Sequence, residues 1–300
     1  MGQNIVALTR TVCRCAAVAV LLLLAGCGGI TGSGGTGASL SAATGSGTTA
    51  PGTSAAGPTT PPQSRALPVY YVADTPVGPR LYREFHAVPS ADPPSDAVRE
   101  MLAKPAGIDP DYRSHWPAGT RLRSAVGHTG GVITVDLSGE ASSAQVGSEL
   151  AELTVQQLVY TVQGAMQATD PVRILVDGAA VAQLWGHVST AQPVQRADPY
   201  QTRSLVQIDN PAHGAAVGRT FVVSGEASAF EANVPWEVLR DAAVVSSGAA
   251  TAAEGQRFSA FSFSLTLDPG DYTVRITEDD PSDGAGRPPF TDSKLVHVGS

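Results

Sequence analysis

Cys27, six histidines and a few carboxylates are the side chains here whose types and spacing could do chemistry. A thiolate is a nucleophile that can be acylated, alkylated, oxidised or metal-bound. Cys27 directly follows the small residues of Leu24-Ala25-Gly26. The histidines, His86, His115, His128, His187, His213 and His297, are scattered, and none stands three or four residues from another histidine or a cysteine. They read as surface or turn residues, not metal ligands. Asp136 and Asp177 close apolar runs, where a facing carboxylate pair or two strand-end turn residues would both fit; the turn reading is preferred. Glu278-Asp279-Asp280-Pro281-Ser282-Asp283 is rich in oxygen, but it lacks the spaced acids and distal Glu of a calcium loop and reads as a solvated turn. Spacing alone leaves a Ser-His-Asp triad open, because triad members converge only in three dimensions. No nucleophile, however, sits on a strand-to-helix elbow. The expectation is no catalytic residue, no cofactor and no metal. Trp116, Trp185 and Trp236 are expected in cores, and an exposed one would be a binding hot spot.

Arg10 and Arg14 precede an apolar run from Cys15 to Gly26 with no acid nearby, the pattern of a secretory signal. A helix needs ~20 apolar residues to span a bilayer, and this run is shorter. Leu24-Ala25-Gly26-Cys27 resembles the lipobox of bacterial lipoproteins. That resemblance implies cleavage before Cys27, lipid attachment at its thiol, and a chain held by this lipid anchor on the extracytoplasmic side of the cell membrane. Two acyl chains, at ~0.8 kcal/mol per buried CH2, suffice for stable anchoring. Cys13 and Cys15 leave with residues 1–26, so no thiol remains for a disulfide or a metal.

The net charge is −8, and loss of the two positive charges of Arg10 and Arg14 makes it −10. Such a surface repels nucleic acid and anionic headgroups, so membrane attachment falls to the lipid and no nucleic-acid partner is expected. Lys104 and Lys294 are the lysines of a chain otherwise supplied with arginine. From Gly28 to Ser64 there is no charge and little beyond Gly, Ser, Thr, Ala and Pro, too little apolar surface to offset ordering entropy. Residues 27–66 are therefore read as a disordered tether.

Residues 67–190 mix strand and helix patterns. Val69-Tyr70-Tyr71-Val72 and Leu81 to Val88 read as a hairpin, and Asp92-Pro93-Pro94 opens a short helix. Thr120 to Arg123 and Val132 to Leu137 read as strands around Gly130-Gly131. Apolar residues at helical spacing from Gly147 to Gln167 give the longest helix, and Val172 to Val176 a last strand. The class is α+β, with helices on one face of a sheet. Residues 191–203 read as a linker. In 204–300, Phe261, Phe263, Leu265 and Leu267 alternate with polar residues, as do Tyr272, Val274 and Ile276, the pattern of an all-β sandwich. Pro235 is expected to confine its strand to an edge or a bulge.

Val69-Tyr70-Tyr71-Val72, Trp116-Pro117-Ala118-Gly119-Thr120, Val135-Asp136-Leu137-Ser138 and Val176-Asp177-Gly178, in that order, resemble the GerMN domain of spore-germination proteins and actinobacterial lipoproteins. Ile208-Asp209-Asn210-Pro211, Val223-Ser224-Gly225-Glu226-Ala227 and Gly270-Asp271-Tyr272-Thr273-Val274 resemble the immunoglobulin-like Gmad2 domain that accompanies it. The resemblance implies a scaffold or accessory role in the envelope or in germination. The function expected is binding, with an envelope protein or a cell-wall glycan as partner. An envelope hydrolase or peptidoglycan-modifying enzyme is one alternative, and a solute-binding lipoprotein is another.

Overall fold

Elements follow the periodicities of the sequence. In chain order they are β1 (Ser64–Ala73), β2 (Arg80–Pro89), α1 (Pro93–Ala103), β3 (Gly127–Thr129), β4 (Val132–Leu137), α2 (Ser148–Met166), β5 (Val172–Val176), β6 (Ala179–Ala180), β7 (Gln183–Leu184), β8 (Val188–Ser189) and α3 (Pro199–Thr202). Then come β9 (Val206–Asn210), β10 (Ala215–Val217), β11 (Thr220–Ala227), β12 (Asn233–Arg240), β13 (Ala243–Thr251), β14 (Ser259–Thr266), β15 (Gly270–Thr277) and β16 (Thr291–Val298). The computed structural model describes residues 63–299 except 281, 283 and 284. Cys27, its leader and most of the expected tether lie outside the described residues.

The first module is α+β, but its strands divide among three sheets, the smallest being the β7-β8 pair. β1 and β2 pair antiparallel, Tyr71 opposite Tyr82, as a hairpin of their own, while a second sheet runs β3-β4-β5-β6. β4 and β5 are parallel, which requires a crossover, and α2 supplies it. Helices and hairpin share one core in which Val69, Tyr71, Val98, Met101, Ile133, Val135, Leu158 and Val162 are buried. The opposite flank of the hairpin packs Tyr70, Val72 and Leu81 on Leu153 and Tyr160 of α2. α2 therefore buries more than one stripe, consistent with the even apolarity of its sequence.

Two local expectations are corrected. The strand expected at Thr120–Arg123 is not one; that segment only runs beside β4, through Arg123 N to Asp136 O and Ser138 N to Arg121 O, and β3 begins at Gly127. Gly130 and Gly131, at φ +61° and +71°, form the tight turn, so His128 and Thr129 must be the paired residues. Pro235 does not mark an edge or a bulge. β12 lies between β15 and β13, and its register with β15 begins only at Trp236, so Pro235 pairs with β13 alone. The missing N–H falls where no ladder bond is needed.

The second module is a sandwich of a five-stranded sheet, β10-β16-β15-β12-β13, on a three-stranded one, β14-β11-β9. Inward residues alternate as the sequence predicts. Val223, Phe261 and Leu265 meet Val238, Val274, Ile276 and Val296 in the core, and Trp236 stacks on Phe263 with centroids 5.0 Å apart.

Residues 191–203 lie along α2. Val194 exchanges backbone hydrogen bonds with Val172, Arg196 Nε donates to Gln163 Oε1 at 2.6 Å, and Tyr160 OH donates to Ala197 O at 2.8 Å.

Candidate functional site

Where the two modules meet, the structure gathers most of the chemically capable side chains, and β2 organises them. Strand side chains alternate, so Tyr82, Glu84 and His86 share one face while Arg83 and Phe85 share the other.

On the first face, His86 is 6% exposed, with both ring nitrogens on carboxylates: Nε2 to Glu84 at 3.0 Å and Nδ1 to Glu100 of α1 at 2.9 Å. Glu84 also accepts from Ile108 N at 2.9 Å and Asp109 N at 2.8 Å. The loop closes this tightly because residue 107 is glycine; a Cβ there would lie 2.8 Å from Glu84 Oε2 and 2.9 Å from Tyr112 Cβ. Burial opposes the imidazolium, but the Glu84 and Glu100 hydrogen bonds outweigh it and hold His86 above the usual histidine range. The surface reading of His86 is thus corrected. The signal available was Glu84-x-His86, strand spacing rather than helical spacing.

The same loop delivers Asp109 and Tyr112 to β16. Lys294, 2% exposed, donates to Asp109 Oδ2 at 2.7 Å, to Tyr112 OH at 2.7 Å and to Asp292 Oδ1 at 3.1 Å. Tyr112 OH donates to Asp292 Oδ1 at 3.0 Å, and Asp292 Oδ2 accepts from Ile208 N at 2.6 Å. Tyr82 OH reaches Thr291 O at 3.0 Å. Burial pushes the Asp292 carboxyl up despite Lys294 and the Ile208 amide; burial likewise works against the Lys294 ammonium, but the two aspartates hold it above the usual range. The sequence carried a signal for half of this cluster: Asp292, Lys294, Val296 and Val298 alternate on the inward face of β16, and an acid and a base on an apolar stripe mark a buried pair.

On the other face of β2, Arg83 is bidentate to Asp209, at 3.2 and 2.6 Å, and reaches Glu226 at 3.2 Å. Arg203 donates to Glu226 at 2.7 Å and lies over the Phe258 ring. Burial pushes Asp209 up against the pull of Arg83. Burial acts the same way on Glu226, but Arg203 and Arg83 prevail and hold it low. Arg83, Asp209 and Glu226 floor a groove of 850 Å³ whose walls include Phe85, Asn210, Ser224 and Ser262. Phe85 is 39% exposed and stacks beneath the Arg83 guanidinium, 4.9 Å away.

The remaining candidates do not converge. Asp136 and Asp177 share Arg123, at 3.8 and 3.6 Å, and Asp136 caps the turn through Gly178 N at 2.9 Å. Glu278 takes Arg287 through both oxygens, at 2.7 Å each, and Asp280 accepts from Ser282 N and Oγ. Among the described residues no group of three or more His, Cys, Asp or Glu could hold a metal ion. Trp116 packs edge-on to Trp185, whose Nε1 donates to Ala141 O at 2.7 Å; with Trp236 stacked, all three serve packing.

Residues 68–182 match the Germane family, described as sporulation and spore germination. Residues 205–285 match Gmad2, the immunoglobulin-like domain of bacterial spore germination. No curated protein matches the chain. Among solved structures, the tandem GerMN domains of the sporulation protein GerM from Bacillus subtilis align at 20% identity and TM-score 0.37, over 48% of this chain and 50% of that one. The chain thus spans half the length of that relative. A candidate lipoprotein from Clostridium perfringens aligns at 16% identity and TM-score 0.32, over 45% of this chain and 89% of that one. Superpositions this loose bear no functional inference.

Proposed function

We propose that this chain, which carries a Germane domain followed by a Gmad2 domain, is a lipid-anchored envelope protein that works by binding. Cys27 is the attachment point, the extracytoplasmic face of the cell membrane the location, and the uncharged segment after Cys27 the spacer. The two matched families are germination-related, which fits an accessory role in the envelope.

The observation that carries the reading is the groove beside Arg83. Its polar walls of Asn210, Ser224 and Ser262, interrupted by the exposed ring of Phe85, suit an extended polar chain such as a cell-wall glycan or a protein segment. The groove does hold two carboxylates, as a hydrolase would. All four of their oxygens, however, are bonded: Asp209 to Arg83 and Gln207, Glu226 to Arg83 and Arg203. A general acid or base needs a free oxygen aimed at substrate, so binding is preferred to hydrolysis.

Crosslinking in intact cells followed by mass spectrometry tests the proposal. The expected result is an envelope protein or glycan fragment attached near Phe85, lost in Phe85→Ser, with Cys27→Ala releasing the protein from the membrane. Unchanged membrane attachment in Cys27→Ala, or a capture pattern indifferent to Phe85→Ser, overturns the corresponding half.

A further inference from the structure

Lys294, Asp109, Asp292 and Tyr112 form a dry cluster in which two carboxyl groups face one ammonium, with side chains 2–3% exposed for the three charged residues. A buried uncompensated charge is costly, and one extra proton on a carboxyl would bring two carboxylates and one ammonium to neutrality. The same proton count has a second arrangement, in which Lys294 gives a proton to a carboxylate and becomes a neutral amine between two carboxylic acids. That arrangement places an amine nucleophile, its electrophile and an acid catalyst together in a water-poor pocket.

The geometry suits reaction at Asp109. Nζ lies 2.7 Å from Oδ2, and Cγ is one C–O bond beyond, close to the ~3–3.5 Å of a near-attack contact. The carboxyl is held from its far side by Asp111 N, at 3.1 Å from Oδ1. Asp292 Oδ1 is 3.1 Å from the same Nζ and is fixed through its other oxygen by Ile208 N. Tyr112 OH touches both Nζ and Asp292, and its ring lies 4.2 Å from Nζ. His213 Nδ1, 3.5 Å from Asp109 Oδ2, and Tyr82, its ring 5.0 Å from that of Tyr112, also face the cluster.

We propose that Lys294 and Asp109 condense into an amide that covalently joins the two modules. The Nζ lone pair attacks Cγ of protonated Asp109 while Asp292, as acid, protonates the carboxyl oxygen that becomes a hydroxyl. The nitrogen of the tetrahedral intermediate returns a proton to Asp292, the C–O bond breaks, and one water leaves. Asp292 ends protonated, as it began, and no oxidant or cofactor is consumed. Two features of the chain fit this role. Position 294 carries lysine where most basic positions carry arginine, and a guanidinium stays protonated and could not act as this nucleophile. The chain has no cysteine beyond residue 27, so no disulfide can staple modules that bring together residues 185 positions apart.

Peptide mapping tests the bond. The full chain is purified without crosslinker, shown to melt cooperatively, then denatured and digested with trypsin. Lys104-Pro105 and Arg287-Pro288 resist cleavage, so the expected product is a branched peptide joining Glu100–Arg113 to Ile276–Ser300, lighter than the pair by one water and uncut at Lys294. Lys294→Arg removes it. Asp292→Asn, which keeps an oxygen for the Ile208 amide and offers its NH2 to the Tyr112 hydroxyl oxygen, is expected to fold and to leave the two peptides separate. Linear peptides cleaved after Lys294, from wild-type protein that melts cooperatively, overturn the proposal. A folded Asp292→Asn protein that still yields the branched peptide overturns the assignment of Asp292 as acid catalyst.

Discussion

One charge cluster between the modules is sealed and the other lines an open groove. Lys294 meets Asp109 and Asp292 at 2–3% side-chain exposure, whereas Arg83, Asp209 and Glu226 keep 14%, 14% and 27% along the groove floor. Both clusters are hydrogen-bonded ion networks of comparable length, yet burial gives them different physics. In the sealed cluster, removing one partner strands a charge that water cannot reach. In the groove, water and ions share the load, which lets Arg83 position Phe85 and leaves the surface able to accept a ligand. One cluster is built to join, the other to present.

The contrast is broken most strongly at Lys294. Lys294→Met keeps the volume but strands two carboxyls, and is expected to cost about 3–5 kcal/mol in urea unfolding. A cost under about 1 kcal/mol would mean the cluster is wet. Arg83→Met should cost less, about 1–3 kcal/mol, and should narrow with added salt, while the Lys294 effect should hardly change. Equal salt dependence of the two would erase the distinction.

His86 adds a pH dimension on the hairpin's other face. Its folded pKa lies above the ordinary value of about 6.5, so its contribution is full below that pH and is lost as pH rises through the folded value. His115, lowered by burial, works in the opposite direction and below about pH 6.5, so the wild-type profile alone carries a second slope. The stability gap between wild type and His86→Gln isolates the first and should shrink steadily from pH 6 towards alkaline conditions; a gap that widens refutes the assignment. The smallest effect belongs to Arg219, whose pair with Asp268 is exposed on both sides. Arg219→Ala should shift stability by no more than about 0.5 kcal/mol, measured by the same denaturant titration.

Much of this architecture was legible residue by residue. Helical spacing located α2 within a residue or two of its observed ends, and period-two alternation gave β14 and β15 and their inward faces. Where the reading failed, a local signal was outweighed. Thr120–Arg123 had a strand-like composition, but the Gly130-Gly131 turn fixed which residues could pair. Pro235 forbade a ladder bond, yet the register with β15 starts one residue later, so an interior strand tolerates it. His86 was missed because its partners were sought at helical spacing on a strand.

The sequence by itself determined the hairpin, the two longer helices, the strands with a clear alternation and the two modules, because propensity and side-chain period are set within a few neighbouring residues. Only the tertiary structure decided what the charged side chains meet. Arg83 finds Asp209 across 126 positions and Lys294 finds Asp109 across 185. Contacts of that separation depend on how two finished cores dock, and no local period encodes the docking.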